Sequence, residues 1–215
     1  MDIPKYDVTN TENNFINLYD FMPHSCFRLL MSGNSGSGKT NLLIHMLKQP
    51  LLYYDKLYLY AKNVEQGKYM DLIEHLTKIA LKHKIPQEEI IEYSNSDIIP
   101  VTDLEQDGQK VVIFDDYVCD RNQNDIVDYF IQGRHKNCCV IYLTQSYFKT
   151  PKDIRLNCSH YIFFATPSRR EVNLLRNEQT VTANQFNKAT DKQYDFLYLD
   201  KPRKLTKRNF YGEII

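Results

Sequence analysis

The stretch Gly33-Asn34-Ser35-Gly36-Ser37-Gly38-Lys39-Thr40 stands between two mostly apolar segments. A strand, a glycine-rich loop and a helix are the parts of a P-loop, and the spacing of the glycines, lysine and threonine matches its pattern. Glycines let such a loop turn tightly and direct its backbone N–H groups at phosphate oxygens, while the following helix presents its positive end. We therefore predict that the stretch binds nucleotide phosphates, with Lys39 on the β- and γ-phosphates and Thr40 on Mg²⁺. A chance glycine-rich turn is the alternative.

A second motif lies at the end of the run Lys110-Val111-Val112-Ile113-Phe114-Asp115-Asp116. A continuous β-branched and aromatic run predicts a strand buried on both faces, as in a parallel sheet. Ligands of α/β sheets bind at the carboxyl ends of the strands. We therefore expect Asp115 to orient Mg²⁺ through its water shell and Asp116 to polarise the attacking water. A helix N-cap or a turn is the alternative for Asp116.

Gln145 follows a further predicted buried strand, Cys138 to Thr144. This residue would emerge at the same edge of the sheet as the P-loop and Asp115. We interpret it as a candidate γ-phosphate sensor or water-orienting residue. An amide that caps a loop is the alternative.

The order of strand and helix patterns predicts an α/β fold with a mostly parallel central sheet. A short helix is expected within Pro151–Leu156 and a basic helical segment after it, and residues 86–109 are expected to be connector with short helical pieces. The other elements are predicted strands at Phe27–Met31, Lys56–Ala61 and His160–Ala165, helices at Asn41–Lys48, Tyr69–His83 and 123–133, and a closing β-hairpin of Tyr194–Leu199 and Leu205–Tyr211.

The 215 residues are enough for one domain with a substantial core. We predict a polar, Asn-rich N-terminal arm at residues 1–24 and a single P-loop domain at residues 25–215. No apolar run approaches the roughly 20 residues that span a membrane, and the N-terminus lacks the pattern of a signal peptide. An intracellular protein without a membrane segment, not a secreted one, is therefore expected.

The charge distribution and the cysteines each give one indication about function. The net charge is zero, but acidic residues predominate through Phe130 and basic residues from Ile131 onward. Such asymmetry can mark a surface that binds a polyanion, although solvated charge is the commoner explanation. The cysteines are odd in number and lack metal-ligand spacing. Because Cys138-Cys139 opens an apolar strand, we expect buried thiols rather than a redox role. They are Cys26, Cys119, Cys138, Cys139 and Cys158.

Taken together, these motifs resemble the FtsK–HerA superfamily of P-loop ATPases, specifically the poxvirus-type genome-packaging ATPases of large DNA viruses and virophages. Besides the P-loop and the acidic strand end, the resemblance rests on Gly133-Arg134-His135, on Tyr142 to Phe148 and on Pro151 to Arg155. It covers roughly residues 25–166. It implies a three-layer, RecA/FtsK-like P-loop NTPase fold and an ATPase that uses ATP and Mg²⁺.

The resemblance also implies roles for single residues. In the superfamily, an arginine just before the fourth core strand acts across a subunit boundary, and Arg134 holds that position here. Its planar guanidinium could stabilise the charge on a phosphoryl group as it is transferred. Arg155 is the runner-up, and Lys39, Asp116 and Gln145 complete the expected catalytic group. Superfamily members often carry Asp-Glu where this chain has Asp115-Asp116, so the second acid is shorter here.

A homo-oligomeric ring of five or six subunits that threads double-stranded DNA into a capsid is the further implication. Its partners would be the DNA and the portal or vertex of the capsid, in the host-cell cytoplasm, the viral factory or the virion. Contacts to DNA phosphates would come from a pool of basic residues, although the sequence does not identify the DNA-binding members. The pool consists of Lys149, Lys152, Arg169, Arg170, Lys201, Arg203, Lys204, Lys207 and Arg208.

Three other classes of function stay open at this point. A small P-loop nucleotide kinase needs an arginine-rich lid, and none is evident. A GTPase-type switch needs an Asn-Lys-x-Asp motif after a strand, and the nearest candidate, Asn187-Lys188-Ala189-Thr190, lacks the aspartate. A DNA-binding subunit without enzymatic activity is the third, and the intact P-loop disfavours it.

Overall fold

Strands and helices alternate through most of the described chain. The computed structural model describes Pro23 and residues 26–49, 51–120 and 122–212, so the predicted arm at residues 1–24 lies outside the described residues apart from Pro23. The strands are β1 (Arg28–Ser32), β2 (Lys56–Ala61), β3 (Ile91–Ser94), β4 (Lys110–Asp115), β5 (Cys138–Thr144), β6 (His160–Phe164), β7 (Phe196–Asp200) and β8 (Leu205–Arg208). The helices are α1 (Lys39–Lys48), α2 (Gly67–His83), α3 (Gln87–Ile90), α4 (Asn124–Gln132), α5 (Lys152–Asn157), α6 (Arg169–Gln179) and α7 (Ala183–Ala189), with 3₁₀ turns at Val101–Asp103, Tyr117–Cys119 and Gly133–Lys136.

The strands form one sheet in the order β3-β2-β4-β5-β1-β6-β7-β8. Strands β1 to β6 are mutually parallel where they pair, whereas β7 pairs antiparallel with both β6 and β8. The predicted parallel sheet and closing hairpin are therefore confirmed. Strands β4, β5 and β1 lie side by side at the centre, so their carboxyl ends meet at one edge.

Each face of the sheet carries its own apolar core, because side chains of a strand alternate between faces. Leu29 of β1 packs with residues of α1 and α2 on one face. Leu30 packs with residues of α4, α6 and α7 on the other. Strand β5 is buried along its whole length, as expected for a central strand covered on both sides. The three-layer α/β architecture is therefore confirmed.

Two elements differ from the sequence prediction. The segment 86–109, predicted as connector with helical pieces, also contains β3, which extends the sheet beside β2. This edge strand has four residues with only Ile91 fully buried, so its pattern was too short to recognise. Helix α7 was not predicted, although Thr182 and Gln185 form a capping box at its start.

The cysteine prediction was wrong for Cys119. Cys138, Cys139 and Cys158 are buried and Cys26 is partly buried, but Cys119 is exposed because its 3₁₀ turn runs over the surface. Over the described ranges, no helix combines the length and the apolar character needed to cross a bilayer.

Candidate nucleotide-binding site

The P-loop runs from the end of β1 into α1 at the carboxyl edge of the sheet. Gly36 and Gly38 have φ angles of 76° and 103°, a region that favours glycine. Gly33 has a different constraint, because a Cβ there would lie 2.7 Å from the Cβ of Phe164. The Gly33 N–H donates to the Thr144 carbonyl at 3.2 Å, which joins the loop to the end of β5.

Two polar side chains inside the loop are placed for a ligand rich in anionic oxygens. The Lys39 ammonium is buried and donates to the carbonyls of Gly33 at 2.5 Å and Asn34 at 2.9 Å. Burial lowers the pKa of Lys39, and the nearby carboxylates of Asp115 and Asp116 act in the opposite direction. The Ser37 hydroxyl is buried and, among the described residues, has no hydrogen-bond partner. A buried ammonium and an unsatisfied hydroxyl fit a bound phosphate chain.

Asp115 ends β4 next to this loop, and a tyrosine from α2 holds its carboxylate. The Tyr69 hydroxyl, on a fully buried ring, donates to Asp115 Oδ2 at 2.6 Å. Burial raises the pKa of Asp115, and the hydrogen bond from Tyr69 opposes that rise. Burial raises the pKa of the Tyr69 phenol, and the nearby Thr40 hydroxyl acts in the opposite direction. A hydroxyl and a carboxylate brought together beside a phosphate site are oxygen ligands that suit Mg²⁺.

The side chains of Asp116 and Gln145 are in contact at the carboxyl edge of the sheet. Asp116 adopts a left-handed conformation with φ 65°, so the chain turns sharply after β4 and leaves its carboxylate exposed. The Gln145 side-chain amide donates to Asp116 Oδ1 at 3.2 Å. The Asp116 N–H donates to the carbonyl of Leu143 at 3.4 Å, which fixes the turn to β5.

Arg134 lies at the opposite edge of the sheet. It belongs to the 3₁₀ turn that precedes β5, and its side chain is exposed. Strand β5 has seven residues and therefore separates Arg134 from the carboxyl edge by roughly 20 Å. A Cβ on Gly133 would lie 3.2 Å from the side chain of Val140, so the turn packs closely on β5. Arg134 is thus well positioned on the surface but remote from the P-loop of its own chain.

Arg155 is buried, and its guanidinium is engaged within the chain. It forms a bidentate ion pair with Glu178 of α6 at 2.8 and 2.9 Å. Its Nη1 atom donates to the carbonyls of Thr150 at 2.5 Å and Phe148 at 3.2 Å. These bonds join α5, α6 and the loop that follows Gln145.

Sequence reasoning missed the side chains that support the site from other elements. Tyr69 fitted the helical spacing of a core residue, and nothing in that spacing relates it to Asp115. Glu171 of α6 accepts hydrogen bonds from the Ser146 hydroxyl at 2.5 Å and from the Phe148 N–H at 3.0 Å. Because Ser146 follows Gln145 directly, these bonds fix the glutamine loop to α6.

Fold and site geometry together define a P-loop NTPase-type domain, with the loop, the acidic strand end and the glutamine at one edge of a parallel sheet. The family described as Poxvirus A32 protein matches residues 16–191. The chain therefore belongs to that family, and the resemblance inferred from the sequence is confirmed.

Individual relatives and solved structures agree with this assignment. The DNA packaging protein OPG160 of Variola virus is 28% identical over 156 residues, which are 70% of this chain and 57% of that protein. The match thus spans little more than half the length of this curated relative.

The genome packaging NTPase B204 from Sulfolobus turreted icosahedral virus 2 has the same fold. Its complex with AMP aligns with a TM-score of 0.60 and 16% identity over 88% of this chain and 98% of B204. The complex with ATP-gammaS gives a TM-score of 0.59 and 15% identity over 85% and 95%.

Proposed function

We propose that this chain is an ATP-hydrolysing motor that moves double-stranded DNA and packages a viral genome into a capsid. The observation that carries the proposal is the P-loop, with its buried Lys39 and unsatisfied Ser37, beside the contact between Asp116 and Gln145. Membership of the Poxvirus A32 protein family and the name of the Variola virus relative, a DNA packaging protein, support the choice of DNA as cargo.

In this proposal the residues of one chain bind ATP and direct the attacking water. The P-loop N–H groups and Lys39 would hold the phosphates. Thr40, and Asp115 through the water shell, would hold Mg²⁺, which would supply positive charge beside the phosphate oxygens. Tyr69 fixes the orientation of Asp115. Asp116 accepts the proton of the water, and Gln145, already bonded to Asp116, orients that water toward the γ-phosphate.

Hydrolysis also needs a positive charge beside the negatively charged phosphoryl group that is transferred, and we assign this role to Arg134 of a neighbouring subunit. Its distance from its own P-loop and its exposed, closely supported turn favour action in trans. A homo-oligomeric ring of five or six copies would place one Arg134 at each P-loop. We assign Arg155 a structural role instead of a catalytic one, because its guanidinium donates to Glu178 and to two backbone carbonyls.

DNA contact is best supported for the basic surface around the loop after Gln145. Arg203 and Arg208 pair with carboxylates of their own chain. Lys149 and Arg170 are exposed and form no ion pair with any described residue. The Arg170 guanidinium lies 3.5 Å from the centroid of the Phe148 ring, on the loop that Glu171 fixes to α6. This surface would contact backbone phosphates without reading sequence.

ATPase assays with duplex DNA test the function. We expect duplex DNA to stimulate hydrolysis severalfold, and we expect this stimulation to fall steeply as the salt concentration rises. The Lys39→Ala variant should have no activity.

Replacement of Lys149 and Arg170 together by Ala should weaken duplex binding about tenfold. It should also reduce the slope of log affinity against log salt concentration by about 2. The matched control replaces Lys68 and Lys82, exposed lysines of α2, and should bind normally.

A small nucleotide kinase is the alternative. DNA-independent transfer of phosphate from ATP to a nucleoside monophosphate would favour that enzyme and contradict the motor.

The motor would act inside the host cell where virions assemble or within the virion, against the portal or vertex of the capsid. Sedimentation with an ATP analogue and duplex DNA would detect the expected ring.

A further inference from the structure

The order of the strands determines where the rest of a bound nucleotide lies. Asp116 and Gln145 follow β4 and β5, which lie on one side of β1 and its P-loop. The γ-phosphate faces that side in the proposed function, on which this inference rests. The ribose and base must then lie on the other side of the loop, near β6 and β7.

Tyr194 occupies that side, two residues before β7. A Cβ on Gly38 would lie 3.2 Å from Tyr194 Cδ1 and 3.7 Å from Phe164 Cε1, so the tyrosine ring lies directly against the last glycine of the P-loop. Even so, Tyr194 is 59% exposed. Among the described residues, none forms a hydrogen bond with its hydroxyl.

The backbone around Tyr194 is held in an unfavourable conformation. Its φ angle is 71°, in the left-handed region that a bulky residue rarely adopts. Asp195 anchors the segment, because its carboxylate accepts from Asn209 Nδ2 at 2.8 Å and from Arg208 Nε at 3.0 Å. The Asp195 N–H also donates to the carbonyl of Lys192 at 3.2 Å. The chain thus fixes an exposed aromatic ring beside the phosphate loop.

We propose that Tyr194 is the surface on which the nucleobase of the bound nucleotide stacks. A planar heteroaromatic base fits an exposed ring, because stacking removes apolar surface of both from water and needs no specific hydrogen bonds. Phosphate binding alone would not require this ring. Tyr194 is therefore a base-binding residue, distinct from the residues that bind the phosphates.

Calorimetric titration with ATP and with inorganic tripolyphosphate, each in the presence of Mg²⁺, separates the base from the phosphates. The Tyr194→Ala variant should bind ATP about tenfold more weakly and tripolyphosphate as well as the unchanged chain does. Tyr194→Phe keeps the ring and should bind both ligands normally. Tyr211→Ala, at another exposed tyrosine, is the matched control.

Three other outcomes of these titrations are possible, and each contradicts one of the two proposals or both. Equal weakening of ATP and tripolyphosphate in Tyr194→Ala would mean that the ring only supports the loop, and unchanged ATP binding would mean that the base lies elsewhere. Either result overturns the stacking proposal while the nucleotide site stands. If the unchanged chain bound neither ligand, the proposed function would fail and the stacking proposal with it.

Discussion

Strand β5 is flanked by two arginines that the chain uses in opposite ways. Arg155, after the strand, is buried and directs its guanidinium at Glu178 and at two backbone carbonyls. Arg134, before the strand, is exposed on a turn that Gly133 holds close to β5. A guanidinium whose donors are satisfied internally stabilises the fold, whereas one that is held in place and left exposed is available to another molecule. Sequence alone made both residues candidates for the same role, and burial separates them.

Removal of Arg134 should have the largest effect on catalysis. We expect Arg134→Ala to lower kcat about 1,000-fold, because an arginine supplied in trans stabilises charge in the transition state. The free energy of unfolding should change by less than about 0.5 kcal/mol, since the side chain is exposed. ATPase assays and urea denaturation measure the two effects, with Arg176→Ala as the control for an exposed arginine.

Mixed assemblies test whether Arg134 acts between subunits. Arg134→Ala and Asp116→Asn chains are each inactive alone in this scheme. Mixed together, they should recover part of the activity, because some interfaces then join an intact Asp116 to an intact Arg134. A mixture that stays inactive would argue against action in trans.

Removal of Arg155 should act on stability instead. We expect Arg155→Ala to lower the free energy of unfolding by about 3 kcal/mol, because Glu178 would be left partly buried without its partner. Urea denaturation measures the loss, and Glu178→Gln should show a similar direction. An Arg155→Ala chain with unchanged stability and no ATPase activity would instead make Arg155 the catalytic arginine.

Removal of the Tyr69 hydroxyl should have a smaller effect, which acts on the nucleotide-binding site itself. Tyr69→Phe removes the hydrogen bond to Asp115 and should weaken Mg²⁺-dependent nucleotide binding about tenfold, as loss of a group that orients a metal ligand does. Nucleotide affinity measured with Mg²⁺ and with EDTA gives the readout. Only the affinity with Mg²⁺ should fall. Equal loss in both conditions would indicate a general disturbance of the loop.

The smaller of the two effects on stability is expected at a carboxylate that, like Arg155, is satisfied within the chain. Burial alone would raise the pKa of Asp200, but hydrogen bonds from His160 and Arg203 lower it to about 2. A depressed pKa stabilises the fold above the unfolded value near 4, and that stability is lost as the pH falls through about 2. Asp200→Asn should therefore cost about 1–2 kcal/mol at pH 7 and progressively less below pH 4, as chemical denaturation across this range can show. A cost that does not change with pH would contradict the ionic origin.

The local motifs were predictable because each is encoded within a few consecutive residues. The P-loop glycines and the apolar run ending at Asp115 are enough to predict a site at one edge of a parallel sheet. Tyr69, Glu171 and Tyr194 were not predictable as site residues, because each reaches its partner from a distant part of the chain through tertiary packing. Helix α7 is different, since the capping box of Thr182 and Gln185 is a local signal in the sequence that could have predicted its start.

The position of Arg134 has a consequence for when ATP is consumed. A single chain carries the P-loop and its arginine at opposite edges of the sheet, so on the proposed arrangement it lacks a complete catalytic centre. Specific activity would then rise with protein concentration and level off once all chains are assembled. On the same arrangement, chains that have not yet assembled would hydrolyse almost no ATP.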